Sequence, residues 1–424
     1  MSMIKLGEVL QIQHGYAFKS KEYVEKSNYR LVTLGNFEEG NNSFKYNDAK
    51  ATYYGADFPE EYVLQTGDLV MPLTEQVVGL FGNSAFIPKE EQFHFVLNQR
   101  VGKVICNENR LDKIYAHYLL ATNSVKKQLE ARASGTRQRN ISPNDVYDVT
   151  VELPSLDIQK TVGKILFNIE QKQELNNSIC LDLESMAKTI YDYWFLQFEF
   201  PNEEGKPYKS SGGKMVWNDE LKREIPEGWK VKNISDLCTL GNGINYDKKV
   251  TGDKSYKIVN VRDISASSLL INKQDMNEIS LPSVLANKYL VNKDDILIAR
   301  SGTPGAVRLV LDTENVIYCG FIIHCLPNDL KDRFYLTFTL KRYEGTSATK
   351  TGGSIFQNVS QDTLKSLIIP LPSKNVLLSF NAKLKPLIDK MQLCIEENNQ
   401  LASLRDFLLP LLMNGQVTFK EEDE

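Results

Sequence analysis

The residues with the greatest chemical reach crowd one short stretch of the chain. Lys126, Lys127, Arg132, Arg137 and Arg139 lie within it, and it runs into the polar phrase Thr136-Arg137-Gln138-Arg139-Asn140. Arginine can hold guanine through two hydrogen bonds, Asn and Gln can do the same for adenine, and Thr and Ser offer hydroxyls to phosphate. A matching place further along carries Lys341, Arg342, Lys350, Thr351, Ser354, Gln357 and Asn358. A basic run by itself is an ordinary solvated face. Recurrence of such a run at equivalent places points instead to a polyanionic partner that is contacted twice.

Residues that could make or break bonds are not arranged to do so. The sequence contains no Pro-Pro pair, so the polar-Pro-Pro-aromatic motif expected of an enzyme methylating DNA amino groups is missing. Gly212-Gly213-Lys214-Met215 lacks the spacing and the hydroxyl of a phosphate-binding loop, and Gly302-Thr303-Pro304-Gly305 reads as a turn. The four histidines, His14, His94, His117 and His324, show no metal-ligand spacing, and no Ser/His/Asp set declares itself. The six cysteines are scattered with no CxxC pair, which predicts free, mostly buried thiols. The expectation is a chain with no catalytic centre and no cofactor or metal of its own.

Size and charge narrow the class. A chain of 424 residues exceeds one common core and predicts two to four domains. Its formal charge of −4 argues against a protein that coats nucleic acid indiscriminately, so any DNA contact must use local basic surfaces. Part of the negative excess falls in an acidic stretch, 416–424. No apolar run approaches the roughly 20 residues that span a bilayer, and the opening residues lack the basic-then-apolar order of a signal peptide. A cytoplasmic protein without a membrane partner is expected.

The elements that must position these residues occur twice. Ordered matches appear at a lag of about 220 residues, too long for a solenoid and right for a duplicated domain. Leu6-Gly7-Glu8-Val9 through Gly15 pairs with Ile234-Ser235-Asp236-Leu237 through Gly243. Tyr29-Arg30-Leu31-Val32 pairs with Tyr256-Lys257-Ile258-Val259, and Gly67-Asp68-Leu69-Val70 with Asp294-Asp295-Ile296-Leu297. Each copy ends in a Leu-Pro-Ser turn, Leu153-Pro154-Ser155 and Leu371-Pro372-Ser373, after which alternating strand gives way to sustained helix. Ile158, Val162, Ile165, Ile169, Lys172, Asn176, Ile179, Leu183, Met186, Ile190 and Tyr193 step by four and three, as along a coiled-coil seam. The second helix repeats this through Leu384, Ile388, Met391, Ile395 and Asn398, then Leu401, Leu404, Leu408 and Leu411 after a phase shift. Asn176 and Asn398 are candidate register markers, because a polar seam residue commonly fixes register at a cost in stability.

These patterns predict an α+β protein. Two globular mixed α/β domains, 1–155 and 226–373, are joined by long antiparallel coiled-coil helices, 156–200 and 374–415, as a pseudo-two-fold repeat. A Gly- and Ser-rich linker is expected over 201–225.

The two domain endings, Gly135-Thr136-Arg137-Gln138-Arg139-Asn140-Ile141-Ser142 and Gly353-Ser354-Ile355-Phe356-Gln357-Asn358-Val359-Ser360, each lead through Leu-Pro-Ser into a long helix. With Leu97-Asn98-Gln99-Arg100-Val101 and Ile225-Pro226-Glu227-Gly228-Trp229, they make the chain resemble the specificity subunits of type I restriction-modification systems over nearly its whole length. Tyr318-Cys319-Gly320-Phe321 replaces the Leu-Asn-Gln-Arg phrase in the second copy. The resemblance implies two target-recognition domains, each reading half of a split, asymmetric sequence in double-stranded DNA. It implies two modification subunits that methylate adenine N6 with S-adenosylmethionine, and restriction subunits that use ATP and Mg, so that these cofactors belong to the partners. Arg100, and Arg300 with Ser301, join Thr136, Arg137, Gln138, Arg139, Asn140, Lys350, Thr351, Ser354, Gln357 and Asn358 as candidate DNA-contacting residues. The rival readings are a fused methyltransferase and reader, and a non-catalytic scaffold or adhesin on a coiled-coil stalk.

If the helices set the distance between the two half-sites, inserting one four-residue turn within 172–176 lengthens the first helix by about 6 Å. The DNA spacer should then grow by one or two base pairs at about 3.4 Å each. Mapping methylated adenines in a host carrying the variant reads the spacer, and an active variant with the original spacer would rule the helices out as the ruler.

Overall fold

The computed structural model describes residues 2–37, 43–46, 48–76, 78–246, 251–344 and 359–413. The chain divides into two compact units, one of residues 1–172 with 401–424 and one of residues 173–400.

The same construction recurs in both units. In the first, an antiparallel sheet runs in the order Leu10–His14, Val101–Cys106, Leu69–Pro72, Ala85–Phe86. In the second, the order is Cys238–Asn242, Ile322–Pro327, Ile296–Ala299, Val307–Leu309. A second small sheet in each unit contains one parallel pair in the same register: Arg30 faces Phe95 as Lys257 faces Val316, and Val32 faces Leu97 as Val259 faces Tyr318. The four-residue phrases matched in the sequence are these strands. Their apolar residues, such as Leu31 and Val32 or Ile258 and Val259, are buried, as expected of short strands covered on both faces.

Each repeat pairs the strand that opens it with the strand that ends it. Ser2–Lys5 pairs antiparallel with Thr150–Leu153, and Lys230–Asn233 with Ile368–Leu371. The Leu-Pro-Ser turn follows the closing strand at once, and Leu156–Tyr191 and Lys374–Met413 are the two long helices. Equivalent amides hold each helix to its domain. Gln159 donates to the Arg110 carbonyl at 3.0 Å and Asn381 to the Lys331 carbonyl at 2.9 Å.

The buried stripe of the first helix differs from the seam read in the sequence. Val162, Ile169, Asn176 and Leu183 lie in it, but Ile158, Met186 and Tyr193 are exposed. Gln159, Leu166, Ala187, Tyr191 and Trp194 are the buried residues instead. Apolar side chains flank the stripe on both sides, and packing selects the face that also buries Gln159 and Ala187. In the second helix Leu377, Phe380, Leu384, Ile388, Met391 and Cys394 are buried, and Leu404 is exposed where the seam expected it inside.

Asn176 is fully buried and donates to Asn398 Oδ1 and Glu397 Oε2, both at 2.9 Å. Asn398 in turn donates to Asn177 Oδ1 at 2.8 Å, and Gln173 donates to the Asn398 carbonyl at 3.1 Å. The two register markers thus pair with each other. Asn176 Oδ1 is buried without a partner, which makes the knot a device for register at some expense of stability.

The segment expected as a linker is folded. The first helix ends in a π-turn, Asp192–Leu196, and Phe198 adopts a left-handed φ of 63° that turns the chain back. Met215–Asn218 then pairs with Arg223–Pro226 as a hairpin. Phe200 stacks on Tyr208 and Trp229 with centroids 4.6 and 5.3 Å apart. The glycines that suggested flexibility serve as turns, Gly205 and Gly212 having φ of 76° and 88°, while Phe198, Phe200 and Trp229 are buried on either side of them.

Replacing Asn176 by Ala should lower the unfolding free energy by about 1–3 kcal/mol, the usual effect of leaving buried polar partners unpaired. Urea unfolding measures it. Replacing Asn176 and Asn398 together by Leu should restore most of the loss.

Candidate nucleic-acid interface

In each unit two loops are hung on one residue just past a central strand. In the first, the Leu73 amide donates to the Arg100 carbonyl and the Leu73 carbonyl accepts from Ile141, at 2.9 and 3.0 Å. In the second, the Arg300 amide donates to the Phe321 carbonyl and the Arg300 carbonyl accepts from Val359, both at 2.9 Å. Leu73 and Arg300 are therefore equivalent, as are Arg100 and Phe321.

Glycine lets the neighbouring strand approach the first of these loops. Gly15 donates to Val101, Tyr16 to Leu97 and Gln99 to Tyr16, at 3.1, 2.9 and 2.9 Å. The second unit repeats the set with Gly243 to Ile322, Ile244 to Tyr318 and Gly320 to Ile244, at 3.1, 2.9 and 2.8 Å. A Cβ on Gly15 would overlap the Asn98 carbonyl, and one on Gly243 the Cys319 carbonyl. Only glycine fits either place.

The second loop of the first unit, 134–140, is closed by reciprocal main-chain bonds between Ser134 and Asn140. Gly135 sits in it at φ 108°, where a Cβ would overlap the Gln138 carbonyl. The candidate side chains on this loop divide sharply. Arg139 pairs with Glu75 through Nε at 2.7 Å and through Nη2, and Glu75 is only 1% exposed. The other Glu75 oxygen accepts from the amides of Gly79, Leu80 and Phe81. Arg139 neutralises a buried carboxylate that organises the 75–81 turn. Asn140 Oδ1 accepts from Thr74 at 2.9 Å and from Gln138 at 3.2 Å, so these two amides brace the loop. Thr136 and Arg137 are exposed, and Arg137 has no side-chain partner among the described residues.

Other members of the basic stretch are also engaged. Lys126 donates to Asn83 Oδ1 at 2.6 Å, and Arg132 to the Gln128 and Asp148 carbonyls at 2.8 and 3.1 Å. In the second unit Lys341 binds Glu184, Glu344 and the Ser268 carbonyl. Lys350, Thr351, Ser354, Gln357 and Asn358 lie outside the described residues.

Sequence reasoning missed a concavity beside Arg100. A cavity of about 420 Å³ is lined by Gln76, Asn98, Gln99 and Arg100 on one side and Thr33, Asn36 and Lys50 on the other. Gln76, Gln99 and Arg100 are exposed, and none of the three side chains has a partner among the described residues. The available signal was Gln99-Arg100 directly after the apolar run Phe95-Val96-Leu97 and Asn98. In the second unit Arg300 is half-buried, donating through Nη1 to the Gly320 carbonyl at 3.4 Å, and Ser301 is half-buried beside it.

The described residues also contain a serine, histidine and glutamate in sequence. Ser84 Oγ lies 2.9 Å from His117 Nδ1, and His117 Nε2 lies 3.6 Å from Glu170 Oε2. Ser84 and His117 are both fully buried, so no substrate can reach the hydroxyl. Burial alone would raise the Glu170 carboxyl. The nearby His117 ring, the Tyr118 hydroxyl that donates to the carboxylate at 2.6 Å, and Arg405 outweigh burial and hold the group below the usual carboxylate range. The set ties the first long helix to its domain. Burial pushes the Cys106, Cys180 and Cys319 thiols up, the first to about 12 and the second to about 11, which keeps them protonated and poor nucleophiles. No group of His, Cys, Asp and Glu among the described residues could hold a metal ion. No helix among them is long and apolar enough to cross a membrane.

One construction, polar loops exposed from a main-chain frame and followed by a long helix, thus occurs twice in the chain. The model of the type I restriction modification DNA specificity domain matches residues 1–185 and again 226–402, and the chain belongs to that family. It is similar to the MjaIX specificity subunit of Methanocaldococcus jannaschii, with 26% identity over 322 residues, 72% of this chain and 69% of that one. The HindI specificity subunit of Haemophilus influenzae is 22% identical over 379 residues, 76% of this chain and 82% of that one. In fold the chain is similar to the type I S subunit from M. genitalium, with a TM-score of 0.57 at 12% identity, covering 99% of this chain and 96% of that one. Its role is that of a DNA-specificity subunit.

The two loop arginines should separate cleanly. Arg139→Ala strands the buried Glu75 charge and should cost about 3–5 kcal/mol of stability, seen as a lower thermal midpoint. Arg137→Ala should leave the midpoint unchanged and weaken DNA binding by about 1–3 kcal/mol. Equal melting of the two variants would contradict this division.

Proposed function

We propose that the chain reads a two-part, asymmetric sequence in double-stranded DNA, one part through residues 1–155 and the other through residues 226–373, and presents it to enzymes that carry the chemistry. The observation that carries this reading is the unlike dressing of one repeated frame. At equivalent main-chain positions the first unit bears Leu73 and Arg100, and the second Arg300 and Phe321. Two copies of a frame that offer different side chains call for two different half-sites, because base edges are distinguished by donors, acceptors and the thymine methyl.

Arg100, Gln99, Gln76, Thr136 and Arg137 are the base and phosphate contacts of the first unit in this reading. Arg139, Gln138 and Asn140 act indirectly, by shaping the loop. Arg300 and Ser301 serve the second unit, with Lys350, Thr351, Ser354, Gln357 and Asn358 retained from the sequence. The chain performs no chemistry itself. Two modification subunits, acting with S-adenosylmethionine, and restriction subunits using ATP and Mg assemble on it, and the long helices are their docking surface.

The test is an exchange. Replacing residues 1–155 by the corresponding segment of a relative should alter one half of the methylated motif, read by sequencing methylated adenines, and leave the other half intact. A change in both halves would sink the modular reading. Binding by the assembled complex should also fall with salt in proportion to the phosphates neutralised.

A further inference from the structure

The exchange of Arg100 for Phe321 has a chemical meaning of its own. The residues before them, Gln99 and Gly320, make the same main-chain bond to Tyr16 and Ile244, and the Arg100 and Phe321 carbonyls accept from Leu73 and Arg300, so the two side chains leave the frame from the same place. Arg100 is exposed, and Phe321 is 62% exposed. The two positions exchange character as a pair: buried Leu73 lies beside Arg100, whereas half-buried Arg300 lies beside Phe321. The Arg300 guanidinium is partly tied to the Gly320 carbonyl, and its Nε is buried without a partner. The second unit therefore withdraws its cation and puts a phenyl ring where the first unit puts a guanidinium. The ring belongs to no core, since neither hydrophobic cluster of that unit includes it.

An exposed phenyl at a place that meets DNA edges has one apolar target in the major groove, the C5-methyl of thymine. We propose that Phe321 is a specificity-determining residue that selects thymine in the half-site read by the second unit, at the position where Arg100 selects guanine in the other half-site. The proposal rests on the DNA-reading function given above. The surrounding frame suits this use. Tyr318 is buried, its hydroxyl pushed up to about 12 by burial with Asp295 and Tyr289 adding to the effect, and so stays neutral. The amide end of the Asn245 side chain packs against Gly320, where a Cβ would stand.

The experiment uses the full chain assembled with its modification subunits. The target is first found by mapping methylated adenines, and the half-site of the second unit by exchanging residues 226–373. Each thymine of that half-site is then replaced singly by deoxyuridine, which removes only the methyl. One position should lose about fourfold in affinity, the factor expected for burying one methyl-sized group. Phe321→Ala should bind thymine and deoxyuridine equally at that position and methylate sites with other bases there. Phe321→Leu should restore part of the discrimination. The ring is exposed, so the melting temperature should not move, and Arg100→Ala should affect the other half-site alone.

Phe321→Ala with unchanged affinity and motif would overturn the proposal while leaving the DNA-reading function intact. Equal loss of affinity for thymine and deoxyuridine duplexes would also overturn it, making the ring a wedge between base steps. Absence of sequence-specific binding by the unsubstituted complex would refute the function on which the proposal rests, and the proposal with it.

Discussion

Main-chain hydrogen bonding between a glycine-bearing strand and the tip loop is the constraint from which the rest follows. At Gly15 and at Gly243 the backbones come too close for any Cβ, and the bonds across this approach join amide to carbonyl; within the loop of the first unit the Arg100 amide also donates to Asn98 Oδ1 at 3.1 Å. None of these bonds involves the side chains at positions 99, 100, 320 or 321. The frame is therefore insensitive to what it displays. Arginine and phenylalanine can occupy one site with little effect on stability, as is usual for exposed positions away from special backbone geometry.

The same logic separates the residues on the second loop of the first unit. Arg139 and Arg137 are two residues apart and chemically identical, yet one completes a buried ion pair and the other faces solvent. A buried carboxylate that accepts three amides needs a counter-charge, and Arg139 supplies it to Glu75. Basic composition alone overstates the surface available to a polyanion. Lys126, Arg132 and Lys341 are likewise engaged inside the protein.

Much of the fold was legible in the sequence because the repeat supplied two imperfect readings of each element. The phrases at Tyr29 and Tyr256 proved to be strands in one register, and the register markers Asn176 and Asn398 meet. What failed depended on three-dimensional competition. Apolar residues on both flanks of the first helix left its buried stripe ambiguous, and Ile158, Met186 and Tyr193 lost to Gln159, Ala187 and Trp194. Glycines in 201–225 hid a hairpin, because turn residues and linker residues are the same residues. The partner of Arg139 is 64 positions away and carries no local signal.

Closure of each unit has a consequence for the order in which the chain folds during synthesis. Ser2 pairs with Leu153, so the first unit cannot form its edge until nearly all of it has left the ribosome. Its core needs still more, since Leu412 and Met413 are buried with Leu6, Val162 and Leu166 in one cluster. The second unit is one continuous span, 173–400. The half of the protein made first is thus completed last. Until residue 413 emerges, its apolar surface stays open to chaperones and to neighbouring nascent chains.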